Sequence, residues 1–302
     1  MRYIFCIAAL LTVLATFTAA EAVQTDALEL MSRQPPQATK RLAYGTDPSQ
    51  FGELWLPSGP GPYPVVVMIH GGCWHASLPG VVLMAHIAED IRQSGVAVWN
   101  IEYRRLGNGG GYPTTFLDIA DGMDYLRKIS GRYKLDLSHV VAVGHSAGGH
   151  LALWAAARNN IKTTSELHRE HPLPIRVVVT LAGADDLKAF RNNGAFVCGG
   201  PGTIDQLIND HNVRGRAGVD PYADTSPAAM LPLNVEQVIV SGTADTIVPD
   251  HFGRDYAALA KAAGDRVRVI DIEGAGHFDV IDPSSNGWKE IKAIILSYTG
   301  RK

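Results

Sequence analysis

Ser146 sits at the centre of Gly144-His145-Ser146-Ala147-Gly148, the G-x-S-x-G pattern of a nucleophile elbow. A serine hydroxyl attacks poorly until a base takes its proton, and that base needs an acid to orient it. Two distant residues have the right type and setting. Asp245 follows the apolar run Val238-Ile239-Val240 after a short turn, and His277 lies in a glycine-rich turn after Val269-Ile270-Asp271-Ile272. The chain order serine, acid, histidine is the one that accompanies this elbow. The chemistry so assembled is acyl transfer, with Ser146 as nucleophile, Asp245 as orienting acid and His277 as general base. A glycine-rich loop is the plainer reading of the pentapeptide, and a solvated turn that of each aspartate.

The chain has eleven histidines. His145 flanks the serine and suits packing or positioning of the turn, while His150 falls on the following helix. His70 and His75 precede the serine, and His139 precedes a strand. His86, His168, His171, His211 and His251 have no strand-end setting, which leaves His277. Asp245 has rivals in Asp185, Asp186 and Asp279, the first two also beyond a strand.

Acyl transfer needs donors for a developing oxyanion. His70-Gly71-Gly72-Cys73-Trp74 follows the buried run Val65 to Ile69. The expected oxyanion hole uses the backbone N–H groups of Gly72, Cys73 and Ala147. His70, Trp74 and His145 are the candidates for the substrate pocket, with His70 read as a brace for the loop and Trp74 equally suited to the core.

These groups need strands to carry them. Short β-branched runs at 65–69, 96–101, 140–143, 176–181, 235–240 and 267–272 read as buried strands. Between them, 80–94, 114–129, 150–157, 250–263 and 283–298 read as helices. Residues 41–44 and 51–56 read as two strands joined by a turn. Strands alternating with helices imply a mainly parallel sheet covered on both faces. Residues 23–38 read as a mobile lead-in. Residues 185–232 break the alternation and are rich in Gly, Asn, Asp and Pro. So long a stretch suggests an insertion over the site, or else an idle surface excursion.

Arg2, the apolar run Ile4 to Ala15 and Ala20-Glu21-Ala22 follow the plan of a secretory signal peptide over residues 1–22. The expected location is secreted or periplasmic. Cys6 would leave with the leader. Cys73 and Cys198 would remain, as a disulfide or as two buried thiols. Residues 23–302 are expected to form one domain. A net charge of −3, with no basic run beyond two residues, offers no footprint for nucleic acid. No later stretch is long enough for a membrane span, no cofactor or metal is called for, and oligomeric state stays open.

Taken together, His70-Gly71-Gly72-Cys73-Trp74, Tyr103-Arg104-Arg105, the stretch Gly144 to His150, Asp245 with Val248-Pro249, and Gly276-His277 resemble the α/β-hydrolase superfamily. The resemblance is to its esterase and lipase group, which includes hormone-sensitive-lipase-like enzymes and kynurenine formamidase. It implies an α/β-hydrolase fold with a small cap insertion, and a carboxylesterase acting on small or medium esters through an acyl-enzyme on Ser146. An arylformamidase-like amidase, a feruloyl or acetyl-sugar esterase and, more remotely, a non-catalytic binding module are the alternatives. One departure stands out: Cys73 occupies the place of the third glycine of the common oxyanion loop.

Overall fold

The structure is a computed structural model that describes residues 25–209 and 220–300. The expected leader, His211 and part of the 185–232 insertion lie outside the described residues.

Eight strands form one sheet: β1 (Lys40–Ala43), β2 (Phe51–Trp55), β3 (Tyr63–Ile69), β4 (Ala97–Ile101), β5 (Leu135–His145), β6 (Val177–Leu181), β7 (Glu236–Gly242) and β8 (Val267–Ile272). Their spatial order is β1-β2-β4-β3-β5-β6-β7-β8. The β1–β2 and β2–β4 pairs are antiparallel, and all others are parallel. Parallel strands need helical crossovers, so both faces become covered and the central strands must be apolar on both sides. In β3, Val65, Val67 and Ile69 enter one core, and Val66 and Met68 the other. All five are fully buried. Each such side chain contributes about 1.5–3 kcal/mol relative to an exposed one.

Nine α-helices cover the sheet: α1 (Ala27–Ser32), α2 (Ala85–Gln93), α3 (Thr114–Asp124), α4 (Leu126–Tyr133), α5 (Ala147–Ala157), α6 (Leu187–Asn193), α7 (Pro201–Ile208), α8 (His251–Ala262) and α9 (Trp288–Tyr298) among the described residues. Helices α3 to α8 supply the first core, and α1, α2 and α9 the second. All eleven residues of α5 are buried, so this helix has no polar face at all. No helix among the described residues is long and apolar enough to cross a membrane.

Three sequence expectations change. The lead-in is docked: Asp26 caps α1 through the Glu29 N–H at 2.6 Å, and Leu30 is buried. Arg33 reaches both carboxylate oxygens of Asp282, at 2.6 and 2.9 Å. The single helix expected over 114–129 is two helices that run on to Tyr133. The Lys128 N–H bonds the Tyr125 carbonyl three residues back, which slips the ladder between α3 and α4. Strand β5 begins at Leu135, because it pairs with β3 on both sides of an irregularity at Pro64. Proline has no N–H to give a ladder.

Candidate active site

Strand β5 ends at His145 and α5 begins at Ala147, leaving Ser146 at the corner with φ 53° and ψ −121°. A non-glycine residue held there costs about 1–3 kcal/mol. Its backbone is fixed on both sides. The Ser146 N–H donates to the Leu181 carbonyl at 2.9 Å, and the Ser146 carbonyl accepts from Gly149 at 2.8 Å and Ala184 at 3.3 Å. The flanking glycines are steric requirements. A Cβ on Gly144 would lie 2.0 Å from the Gly148 carbonyl oxygen, and a Cβ on Gly148 would lie 2.0 Å from that of Ile69.

Asp245 and His277 leave the carboxyl ends of the neighbouring strands β7 and β8, where ligand-binding groups gather in such sheets. The His277 Nδ1 lies 2.7 Å from the Asp245 Oδ2. The other Asp245 oxygen accepts the N–H groups of Ile247 at 2.8 Å and Val248 at 2.9 Å. Both side chains are buried. The imidazole therefore carries its proton on Nδ1, leaving Nε2 as the acceptor. Neither Nε2 nor the Ser146 hydroxyl has a hydrogen-bond partner among the described residues.

The rival acids are occupied elsewhere. Asp185 is fully buried, accepts from the Thr180 hydroxyl at 3.1 Å, and is pushed up to about 7 by burial. Asp186 caps α6 through the N–H groups of Lys188 and Ala189. Asp279 accepts the N–H of Gly276 at 2.6 Å and that of Thr25 at 2.9 Å.

The loop after β3 lies against the elbow. A Cβ on Gly71 would sit 2.9 Å from the His145 carbonyl oxygen and 3.0 Å from the Ser146 Cβ. Gly72, Cys73 and Trp74 all have positive φ, at 102°, 48° and 57°. For the latter two, a left-handed backbone is costly. The N–H groups of Gly72, Cys73 and Ala147 donate to no acceptor among the described residues.

His70 lies beneath this loop and is fully buried. Its Nδ1 donates to the Gly71 carbonyl at 2.7 Å and its Nε2 to the Glu102 carboxylate at 3.0 Å. The ring is thus clamped between the loop backbone and Glu102. Burial alone would raise the Glu102 pKa, but the charge and hydrogen bond of His70, with the Arg105 guanidinium, bring it down to about 2. The Tyr103 ring stacks on His70 at 4.5 Å, and its hydroxyl donates to the His70 carbonyl at 2.9 Å. Arg105 donates to the carbonyls of His75 at 3.0 Å and Leu78 at 2.8 Å. Glu102 escaped the sequence reading, although it adjoins the Tyr103-Arg104-Arg105 stretch.

His145 is buried, and its Nε2 donates to the His277 carbonyl at 3.0 Å. Burial, then the neighbouring His277, hold its pKa far below the ordinary value, so it is neutral. Trp74 is also buried, with its ring against His150 and Phe190. His150 is brought down to about 4 by burial and donates to the Thr225 carbonyl.

Cys73 and Cys198 form a disulfide, with 5.3 Å between their Cα atoms. Beside it, His75 Nε2 donates to the Thr203 hydroxyl at 3.2 Å, which donates to the Cys198 carbonyl at 2.6 Å. On the opposite flank of the same segment, Phe190 packs on Phe252 of α8. The described part of the insertion is thus fastened to the 70–75 loop on one side and to α8 on the other. A cavity of about 880 Å³ lined by Tyr112, Asn160, Glu166 and Asp224 contains none of the three candidate catalytic residues. No group of three or more His, Cys, Asp or Glu among the described residues could hold a metal ion.

Known proteins share this architecture. The chain superposes on a truncated carbohydrate esterase from gut microbiota with a TM-score of 0.70 at 21% identity, over 88% of this chain and 97% of that one. It superposes on esterase B from Lactobacillus rhamnosis with a TM-score of 0.73 at 18% identity, over 89% of each. These likenesses establish an α/β-hydrolase fold. By sequence, the chain is 24% identical over 261 residues to esterase LipC of Mycobacterium tuberculosis, covering 82% of this chain and 62% of that protein. It is 24% identical over 279 residues to a probable isoprenylcysteine alpha-carbonyl methylesterase, ICME, of Oryza sativa subsp. japonica, covering 86% and 63%. The chain thus spans less than two-thirds of the length of these relatives. A model of the BD-FAE family matches residues 53–258, more than half of the sequence and the stretch that holds both Ser146 and Asp245. The chain belongs to the BD-FAE family.

Proposed function

We propose that the protein is a serine carboxylesterase acting on small or medium esters. The observation that carries this reading is the 2.7 Å contact between His277 and Asp245, formed at the strand ends beside a serine held on a strained elbow. Ser146 attacks the ester carbonyl as the His277 Nε2 takes its proton. The Asp245 carboxylate keeps the Nδ1 proton in place and stabilises the imidazolium. The N–H groups of Gly72, Cys73 and Ala147 receive the oxyanion, and they donate to no other acceptor among the described residues. His277 then protonates the leaving alcohol and activates the water that releases the acid. The serine–histidine hydrogen bond is expected to tighten when substrate binds, as such bonds commonly do.

The protein is exported in this reading. The apolar run Ile4 to Ala15 and the Cys73–Cys198 disulfide both suit an oxidising compartment. The insertion serves as a cap over the site.

A fluorophosphonate probe should label the wild type and leave Ser146→Ala unlabelled. A folded wild type that resists the probe at neutral pH overturns the proposal. Aryl acetates, acetylated sugars, feruloyl esters and aryl formamides, compared by kcat/KM, then assign the substrate class. Aryl acetate should exceed aryl formamide.

A further inference from the structure

We propose that Cys198 is a positioning residue for catalysis. Through its disulfide to Cys73, it holds the Cys73 N–H where the oxyanion must form. The role rests on the esterase reading above and extends it to a residue of the insertion that touches no reacting atom.

The argument starts from the backbone. Cys73 has φ 48° and Trp74 φ 57°, two successive non-glycine residues in the left-handed region. Such a pair relaxes toward negative φ unless its surroundings hold it. Relaxation at Cys73 would rotate the peptide that carries its N–H. Three restraints oppose it. Trp74 is locked in the core, 1% exposed. Arg105 grips the carbonyls of His75 and Leu78 further along the loop. Both act on chain neighbours of Cys73. Its side chain packs partly against the first core and is tied covalently to the sulfur of Cys198. That sulfur has a firm base, because the Cys198 carbonyl accepts from Thr203, which is tied to His75. A glycine at position 73 would adopt the same backbone without strain. The disulfide therefore does for cysteine what the missing side chain does for glycine.

The consequence is specific to the transition state. A misplaced oxyanion donor weakens binding of the tetrahedral state and leaves the ground state nearly untouched. Loss of the cross-link should therefore appear in kcat, whereas a purely structural staple would move only the melting temperature.

The experiment measures kcat and KM for an aryl acetate at 25 °C, well below unfolding, on four samples. These are the oxidised wild type, the wild type with its disulfide opened by a phosphine, Cys198→Ser, and Cys73→Gly combined with Cys198→Ser. Thiol titration confirms opening, and near-UV circular dichroism confirms the native fold. Reduced wild type and Cys198→Ser should each lose about tenfold in kcat with KM within twofold. The glycine double variant should recover to within about threefold of the oxidised wild type. Full kcat in a reduced, folded protein overturns the positioning role and leaves the esterase reading standing. A double variant as slow as Cys198→Ser overturns it as well. An oxidised wild type that hydrolyses no ester brings down both.

Discussion

His145 Nε2 donates a hydrogen bond to the backbone carbonyl of His277, 3.0 Å away across 132 residues of sequence. The residue beside Ser146 thus holds the loop that carries His277, and the two rings lie 4.7 Å apart. The contact joins the end of β5 directly to the loop after β8, and it engages the backbone of His277, leaving its imidazole to Asp245.

Replacing His145 with alanine should loosen the His277 loop. We expect kcat to fall about tenfold, a barrier change of about 1.4 kcal/mol, with stability lower by about 1–3 kcal/mol. Steady-state kinetics and a melting curve check both figures. Unchanged kcat would show that the loop is held by its other contacts.

The acid assignment separates two carboxylates. Asp245→Asn should lower kcat by about 10³–10⁴-fold, because the amide no longer stabilises the correct tautomer and its charged form. Asp185→Asn should stay within threefold of wild type, since burial already favours the uncharged form at that position. The reverse pattern would move the acid to the end of β6.

Glu102 gives the fold an acid limit. Its carboxyl is brought from 4.5 to about 2 in the folded protein. A depressed pKa stabilises the fold above the unfolded value and loses that effect as pH falls toward the folded one. The loss falls between about pH 4.5 and 2 and amounts to roughly 3 kcal/mol. Glu102→Gln should lack this component and weaken the buried His70 contact, at a cost of about 1–3 kcal/mol at neutral pH. Urea melts from pH 2 to 7 on both proteins test this. Parallel pH profiles would remove Glu102 from the account.

Opening the Cys73–Cys198 disulfide should lower stability by about 2–4 kcal/mol, because the bond closes a long loop between residues 125 apart. Thermal melts with and without reductant should differ by several degrees. Identical curves, with two free thiols detected, would contradict the expectation.

Much of the site was legible because it is local. The elbow announces itself in five residues, and Asp245 and His277 each follow an apolar run that makes a strand. The 2.7 Å meeting of those two side chains follows once β7 and β8 are neighbours. The bracing under the oxyanion loop was not legible. Glu102 reaches His70 across 32 positions, through the parallel pairing of β3 with β4. Nothing near Glu102 in the sequence marks it as a partner of a histidine. The docked lead-in was half legible: Asp26 and Glu29 have the spacing of a helix cap, but the Asp282 partner of Arg33 is 249 residues away. The disulfide could be proposed from the count of cysteines, while its partner loops came only from the fold.

The docked lead-in reaches further than its length suggests. The Thr25 N–H bonds one oxygen of Asp279, and the other oxygen accepts the N–H of Gly276, immediately before the base. A relay of two hydrogen bonds through Asp279 therefore ties the turn before His277 to Thr25. In the proposed mechanism, trimming at residue 25 would free one Asp279 oxygen and loosen the turn that positions His277.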